Sequence, residues 1–327
     1  MHSSRAFIFA LALGASLAAT HGVARAQPSR SRADAPRITP VASTEVQSLV
    51  DSAVKEALKK FADKKLTESQ FAVTVIDLRD ADRPLQGSFR GDERIYPASV
   101  VKLFYLAATH YKLEDFRRTA SPELERALRD MIVDSSNDAT GYVLDVLTGT
   151  TSGPELEGRE YNVWRDRRNW VNGYYSSLGY ANINVNQKTF CEDAYGREKQ
   201  SRGPQNVNHN RLTTNATARL LAEIATGRAV NPSRSLQMME LLKRDYTGKS
   251  DDPDDQAHGF TGIALRDVRG ARLWSKAGWT SATRHDAAYI ELPNGARFVV
   301  VTFTEQQSRT RDIIPTVAGV IIDKMRR

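Results

Sequence analysis

The chain has a single cysteine, Cys191, among 327 residues. No intramolecular disulfide can form, so the fold is expected to rest on packing alone, even in an oxidising compartment. Nor is there an apolar run of the roughly 20 residues that a membrane-crossing helix needs. The charge balance is modest. Lys and Arg number 46 against 39 Asp and Glu, a formal balance of +7, and the basic residues are scattered, with no basic arm or aromatic-interleaved stripe. Those absences argue against a membrane span and against a nucleic-acid partner. No H-x-x-x-H spacing or clustered His/Asp pattern occurs, so no metal site is expected, and His258 and His285 are left without a role. No internal repeat is visible.

What is present begins with MHSSRAFIFALALGASLAATHGVARA. An early Arg5, an apolar run from Ala6 to about Ala19, and Ala24-Arg25-Ala26 before Gln27 make the pattern of a secretory signal peptide. Residues 1–26 are therefore expected to be removed, and the product to be periplasmic or secreted. The following Pro-, Ser- and Arg-rich segment, 27–43, reads as a flexible leader. That leaves 44–327, enough for one large domain or two intimate subdomains with a substantial core.

Along that remainder, Thr44-Glu45-Val46-Gln47 has the capping-box pattern, and the apolar spacing from Val46 predicts a helix to Phe61. Phe71–Leu78 and Leu85–Phe89 read as a strand pair. The middle is helical, with a segment opening near Pro97, others at Ser121–Val133 and Asn137–Leu147, and two more, one capped by Thr213-Thr214-Asn215 and closed by Gly227, the other opened by Asn231-Pro232-Ser233. Between them Gly149–Arg211 is a long polar tract with one predicted helix, Arg165–Leu178, and so a functional loop or an insertion. Strands return at ARLWSKAGW and at DAAYIELPNGARFVVVTFTE, and TRDIIPTVAGVIIDKM closes the chain as a helix. The expected fold class is α/β (α+β): an antiparallel sheet built from both chain ends with flanking helices, 44–95 and 265–327, and an inserted, mainly helical part, 96–264, carrying the long loop.

Three short motifs carry chemistry. In YPASVVKLF, Ser99 and Lys102 fall on one helical face, where a lysine kept neutral by burial can serve as base for a serine that is otherwise a weak nucleophile. Alone, S-x-x-K is common by chance, and a lysine that snorkels to water is the plainer account. Ser135-Ser136-Asn137 lies between two predicted helices and is at the least an N-cap. Lys276-Ala277-Gly278 lies in a strand, where a lysine also serves to protect an edge, but the glycine lets a substrate backbone approach closely, and the lysine can then bind an anionic group.

In this order, the motifs resemble those of the penicillin-recognising serine hydrolases, specifically the class A β-lactamases. The resemblance runs from about Thr44 to Lys324. It implies a serine β-lactamase-like fold and ring opening through a Ser99 acyl-enzyme. Lys102 would share in deprotonating Ser99, and Ser135 would pass a proton to the lactam nitrogen. Asn137 would hold the acylamide side chain and Lys276 the substrate carboxylate. The N–H groups of Ser99 and of Trp279, beside Gly278, would form the oxyanion hole. No cofactor is implied, and the expected state is a monomer with a small β-lactam or cell-wall peptide as its partner.

Four departures stand out. The interval between the first two motifs is short, so part of the helical region is expected to be trimmed; Ser136 replaces the usual aspartate; and Ala277 replaces a hydroxyl residue, leaving Thr280 or Ser281 to substitute. The family's loop glutamate, commonly in E-x-x-L-N, is missing as a string, which leaves Glu192 in FCED, favoured because Phe190 and Cys191 would anchor it inward, and Glu198 in GREK. Cys191 itself is expected to be a small buried apolar residue. The 158–170 stretch either borders the cleft or covers the helical part. Rival readings are a D-Ala-D-Ala carboxypeptidase or esterase-like hydrolase on the same scaffold, and a non-hydrolysing penicillin- or peptide-binding protein.

Overall fold

The computed structural model describes residues 37–327, so the expected signal peptide and the first ten residues of the leader lie outside the described residues. The rest of the leader is not free chain. Val41–Ala42 form strand β1, and Arg37 reaches the buried Glu223 at 3.4 Å. Helix α1 (Thr44–Lys60) is capped one residue earlier than the sequence suggests, by Ser43, whose hydroxyl accepts from the Val46 N–H. Gln47 does not complete a capping box. It bonds instead to both backbone groups of Ser88 in the neighbouring strand.

Strands β2 (Phe71–Asp77) and β3 (Leu85–Phe89) follow, then α2 (Val101–Asp115), α3 (Pro122–Ile132) and α4 (Asn137–Thr148). The polar tract holds more helix than its composition signals: α5 (Gly158–Arg168), α6 (Trp170–Ser177) and α7 (Gly196–Arg202). Then come α8 (Thr214–Ala225), α9 (Pro232–Leu242), the two-residue β4 (Lys243–Arg244), β5 (Arg272–Trp279), β6 (Thr283–Glu291), β7 (Arg297–Glu305) and α10 (Ile313–Met325). The strand order is β1-β3-β2-β7-β6-β5-β4, antiparallel except where β1 joins β3, so strands from both chain ends meet at β2 and β7. No helix among the described residues is long and apolar enough to cross a membrane.

β2, β6 and β7 are buried along nearly their whole length because both sheet faces are covered. Alternate residues serve alternate cores. Val73, Val75, Ile290, Phe298 and Val300 pack with α1 and α10, while Ile76, Tyr289, Val299 and Val301 pack with α2, α8 and the helical part.

The long tract is held by a network of amides. Asn210 Oδ1 accepts from the Asn186 and Gln187 N–H groups, and Asn184 bonds to Asn208 and to the His209 carbonyl. Tyr105, one turn beyond Lys102, donates to the Gln187 carbonyl at 2.7 Å, which ties the tract to the back of α2. Short polar side chains can satisfy irregular backbone in this way, so an Asn-rich segment is ordered without an apolar repeat.

Candidate active site

Ser99 does not lie in an α-helix. It occupies a 3₁₀ turn, Ala98–Val100, that leads into α2, and Ala98 before it has φ +46°. Ser135 also sits in the left-handed region, at φ +58°, in the link between α3 and α4. Non-glycine residues are rarely held there, and such strain is characteristic of backbone fixed by its surroundings at functional sites. Neither position carries a sequence signal for it.

The first turn of α2 directs Lys102 into the interior, where it is fully buried. Its ammonium donates to the Ser135 carbonyl, to Asn137 Oδ1 at 2.8 Å and to Ser135 Oγ at 3.3 Å. Desolvation lowers its pKa to about 7, against a smaller opposing influence of Cys191. Lys102 is thus poised between amine and ammonium near neutral pH. Ser99 is half-buried, and its hydroxyl makes no hydrogen bond among the described residues.

Lys276, from the middle of β5, approaches the same hydroxyl from the opposite side, with Nζ to Ser135 Oγ at 3.0 Å. It too is fully buried. Desolvation, then repulsion from Lys102 and Arg244, holds its pKa well below the ordinary value, with Asp286 opposing. One serine hydroxyl therefore bridges two lysines, and the three motifs meet at Ser135.

Gly278 has a packing role that its sequence does not suggest. A Cβ there would lie 2.7 Å from the Ser99 nitrogen and 2.8 Å from the Val100 nitrogen, so β5 is pressed against the turn that carries Ser99. The close backbone is the protein's own. His285, paired with Gly278 on β6, supports the same turn. Its Nε2–H donates to the Tyr96 carbonyl at 2.8 Å while Nδ1 accepts from the Thr304 N–H at 3.0 Å, which fixes the tautomer. Burial lowers its pKa to about 4, so it is a neutral strut.

The two loop glutamates differ sharply. Glu198 is fully buried and forms a two-pronged ion pair with Arg168 at 2.9 Å, with Ser152 at 2.9 Å and Lys188 at 3.5 Å completing its surroundings. Burial pushes its pKa up, but Arg168 and Lys188 outweigh that and hold it below the usual range. Glu192 is exposed and makes no hydrogen bond among the described residues, so Phe190 and Cys191 do not draw it inward. Cys191 is likewise exposed rather than buried; its Sγ lies 3.5 Å from Asn137 Nδ2, which puts this loop at the edge of the site.

Sequence reading missed Arg168, the buried anchor of the 158–170 stretch. It joins α5 to α4 through Asp145 at 3.0 Å and to α7 through Glu198, so this stretch braces the helical part. Gln256 and Arg244, which contact the β5 motif and the end of α3, gave no signal either.

No curated protein matches the sequence. Among solved structures, a β-lactamase from Sphaerobacter thermophilus is 20% identical, with 85% of this chain and 97% of that one covered and a TM-score of 0.60. The TLA-1 extended-spectrum β-lactamase is 16% identical over 85% and 99%, with a TM-score of 0.60. PBP-A is 16% identical over 88% and 99%, with a TM-score of 0.58. These likenesses identify the serine β-lactamase fold. The model of the beta-lactamase enzyme family matches residues 110–325, about two thirds of the sequence, and although that match starts after Ser99 and Lys102, the chain belongs to this family.

Proposed function

We propose that the protein is an exported serine hydrolase of the periplasm or extracellular space that opens β-lactam rings through an acyl-enzyme on Ser99. Ser99 Oγ attacks the lactam carbonyl as its proton passes to neutral Lys102. The C–N bond then breaks, and Ser135 delivers a proton to the leaving nitrogen, itself resupplied from Lys102. Lys276 favours substrates that carry a carboxylate, Asn137 holds the acylamide side chain, and the N–H groups of Ser99 and Trp279 receive the oxyanion. Water then cleaves the ester, with Glu192 the loop acid proposed to direct it. The reading is carried by the Ser135 hydroxyl shared between two buried lysines beside a strained serine turn.

One observation favours a second reading, in which the acyl-enzyme persists. Glu198 is held in its ion pair with Arg168, and the Lys102 ammonium is bonded to Ser135 and Asn137 without a carboxylate partner among the described residues. A variant of the neighbour PBP-A is described as an acyl-enzyme complex with penicillin G.

Mixing the protein with a chromogenic cephalosporin and following intact mass separates these readings. Turnover supports the hydrolase, and a lasting adduct supports slow acylation. No adduct on the native chain, or an adduct that survives Ser99→Ala, sinks the nucleophile assignment. Trapping of the adduct by Glu192→Gln but not by Glu198→Gln assigns the water to Glu192. Release of D-alanine from a D-Ala-D-Ala peptide would instead mark a carboxypeptidase.

A further inference from the structure

Gln256 lies in the excursion between β4 and β5, an acidic segment with Asp251, Asp252, Asp254 and Asp255 around Pro253. Arg284 of β6 pins this excursion. Its guanidinium bonds to Asp254 at 2.5 Å and to the Pro253 and Gly259 carbonyls, and lies 3.8 Å from the centre of the Phe260 ring. The anchored loop carries the Gln256 carboxamide beneath the β5 motif, where all its hydrogen-bonding capacity is used. Nε2 donates to the Ile132 and Val133 carbonyls at 3.2 and 2.8 Å. Oε1 accepts from Lys276 Nζ at 2.5 Å and from the Ala277 N–H at 3.2 Å. Reversing the amide would set donors against donors, so this orientation is required.

We propose that Gln256 is a positioning residue that aims the Lys276 ammonium at Ser135 Oγ by tying the end of α3 to β5; its kinetic consequence rests on the acyl-enzyme reading above. Ile132 and Val133 are the last turn before Ser135, and Lys276 and Ala277 are the motif opposite it. The carboxamide, beside Arg244, which bonds to the Ile132 and Ser275 carbonyls, therefore helps set the distance between the two elements that must meet at the shared hydroxyl. Lys276 has three N–H groups and three acceptors: Ser135 Oγ at 3.0 Å, Gln256 Oε1 at 2.5 Å and the Ala277 carbonyl at 2.7 Å. Without the second, one N–H must turn to find another acceptor, and the direction toward Ser135 is lost. A neutral amide also holds the amine without adding charge. The other charged groups acting on Lys276 are Lys102 from α2, Arg244 from β4 and Asp286 from β6.

The test uses the full mature chain with ¹³Cε-labelled lysine and a fluorescent penicillin, with the Lys276 signal assigned by its loss in Lys276→Met. In Gln256→Glu, a carboxylate replaces the amide oxygen, and the Lys276 titration midpoint is expected to rise by about one to three units, carrying the pH profile of acylation with it. In Gln256→Leu, the acylation rate constant is expected to fall by roughly 10- to 100-fold, together with a lower thermal midpoint, since the Ile132 and Val133 carbonyls and the Ala277 N–H lose their partner. A midpoint unmoved in Gln256→Glu, or native acylation by Gln256→Leu, overturns the proposal. If the native chain is not acylated at all, the functional reading fails, while the lysine titration still decides whether Gln256 governs Lys276. Should the leucine variant not fold, the glutamate variant decides alone.

Discussion

Lys102 sets the terms at the scale of single residues. A base works in its unprotonated form, so acylation is expected to fall about tenfold per pH unit below about 7 and to level off above it, as a pH series of acylation rates would show. The same burial lowers stability. Lys102 binds fewer protons folded than unfolded between its folded pKa of about 7 and its ordinary value, so stability rises with pH across that window and the burial penalty is full below it. Lys102→Met is expected to abolish acylation while stabilising the fold at pH 6 by roughly 2–4 kcal/mol, as urea denaturation would measure. S-x-x-K made this residue visible in the sequence, because type and spacing survive as text. The left-handed backbone at Ala98 and Ser135 did not, since alanine and serine carry no mark of φ. Gln256 stayed hidden for a related reason: a carboxamide announces nothing until its four partners are known.

Secondary structure elements were legible where pattern and packing agree. The capped starts at Thr213 and Asn231 are the observed ones, and the apolar runs of β2 and β7 form the sheet centre. The polar tract was not, because α7 is short, and its Glu198 is buried on account of Arg168 and not by any apolar face. The β5 glycine was read for close approach of a backbone, and the turn that carries Ser99 is one such neighbour. Because a methyl group at Gly278 would meet the Ser99 and Val100 backbone, Gly278→Ala is expected to displace the turn and lower acylation at least 100-fold, while a chain folded around α1 and α10 keeps its far-ultraviolet circular dichroism. His285→Phe removes the strut under Tyr96 and is expected to leave that carbonyl and the Thr304 N–H unpaired. The loss of thermal stability should match one or two unsatisfied buried groups, about 2–4 kcal/mol.

Across the whole molecule, one sheet separates two apolar cores, and the site lies where the helical part meets the sheet. The division into a two-ended sheet and an inserted helical part was readable from the order of strand-like and helix-like segments. How the helical part is braced internally was not, because the brace is ionic and its members come from α4, α5, α7 and Lys188. Arg168→Met would leave Glu198 charged and poorly paired in the interior. It is expected to cost about 3–5 kcal/mol, whereas the double variant Arg168→Met/Glu198→Gln recovers part of that loss in the same denaturation experiment. The sheet's last strand has a further consequence. Because β4 pairs only with Leu273 and Trp274, the ladder of β5 beyond that pairing is closed by side chains: Arg244 donates to the Ser275 carbonyl and Lys276 to the Ala277 carbonyl, in a buried stretch. The Gln256 amide occupies the Ala277 N–H on that ladder. The side chain that steadies the lysine thereby also caps the strand, and in Gln256→Leu the Ala277 N–H is expected to exchange its hydrogen faster than in the native chain, as native-state hydrogen exchange would show.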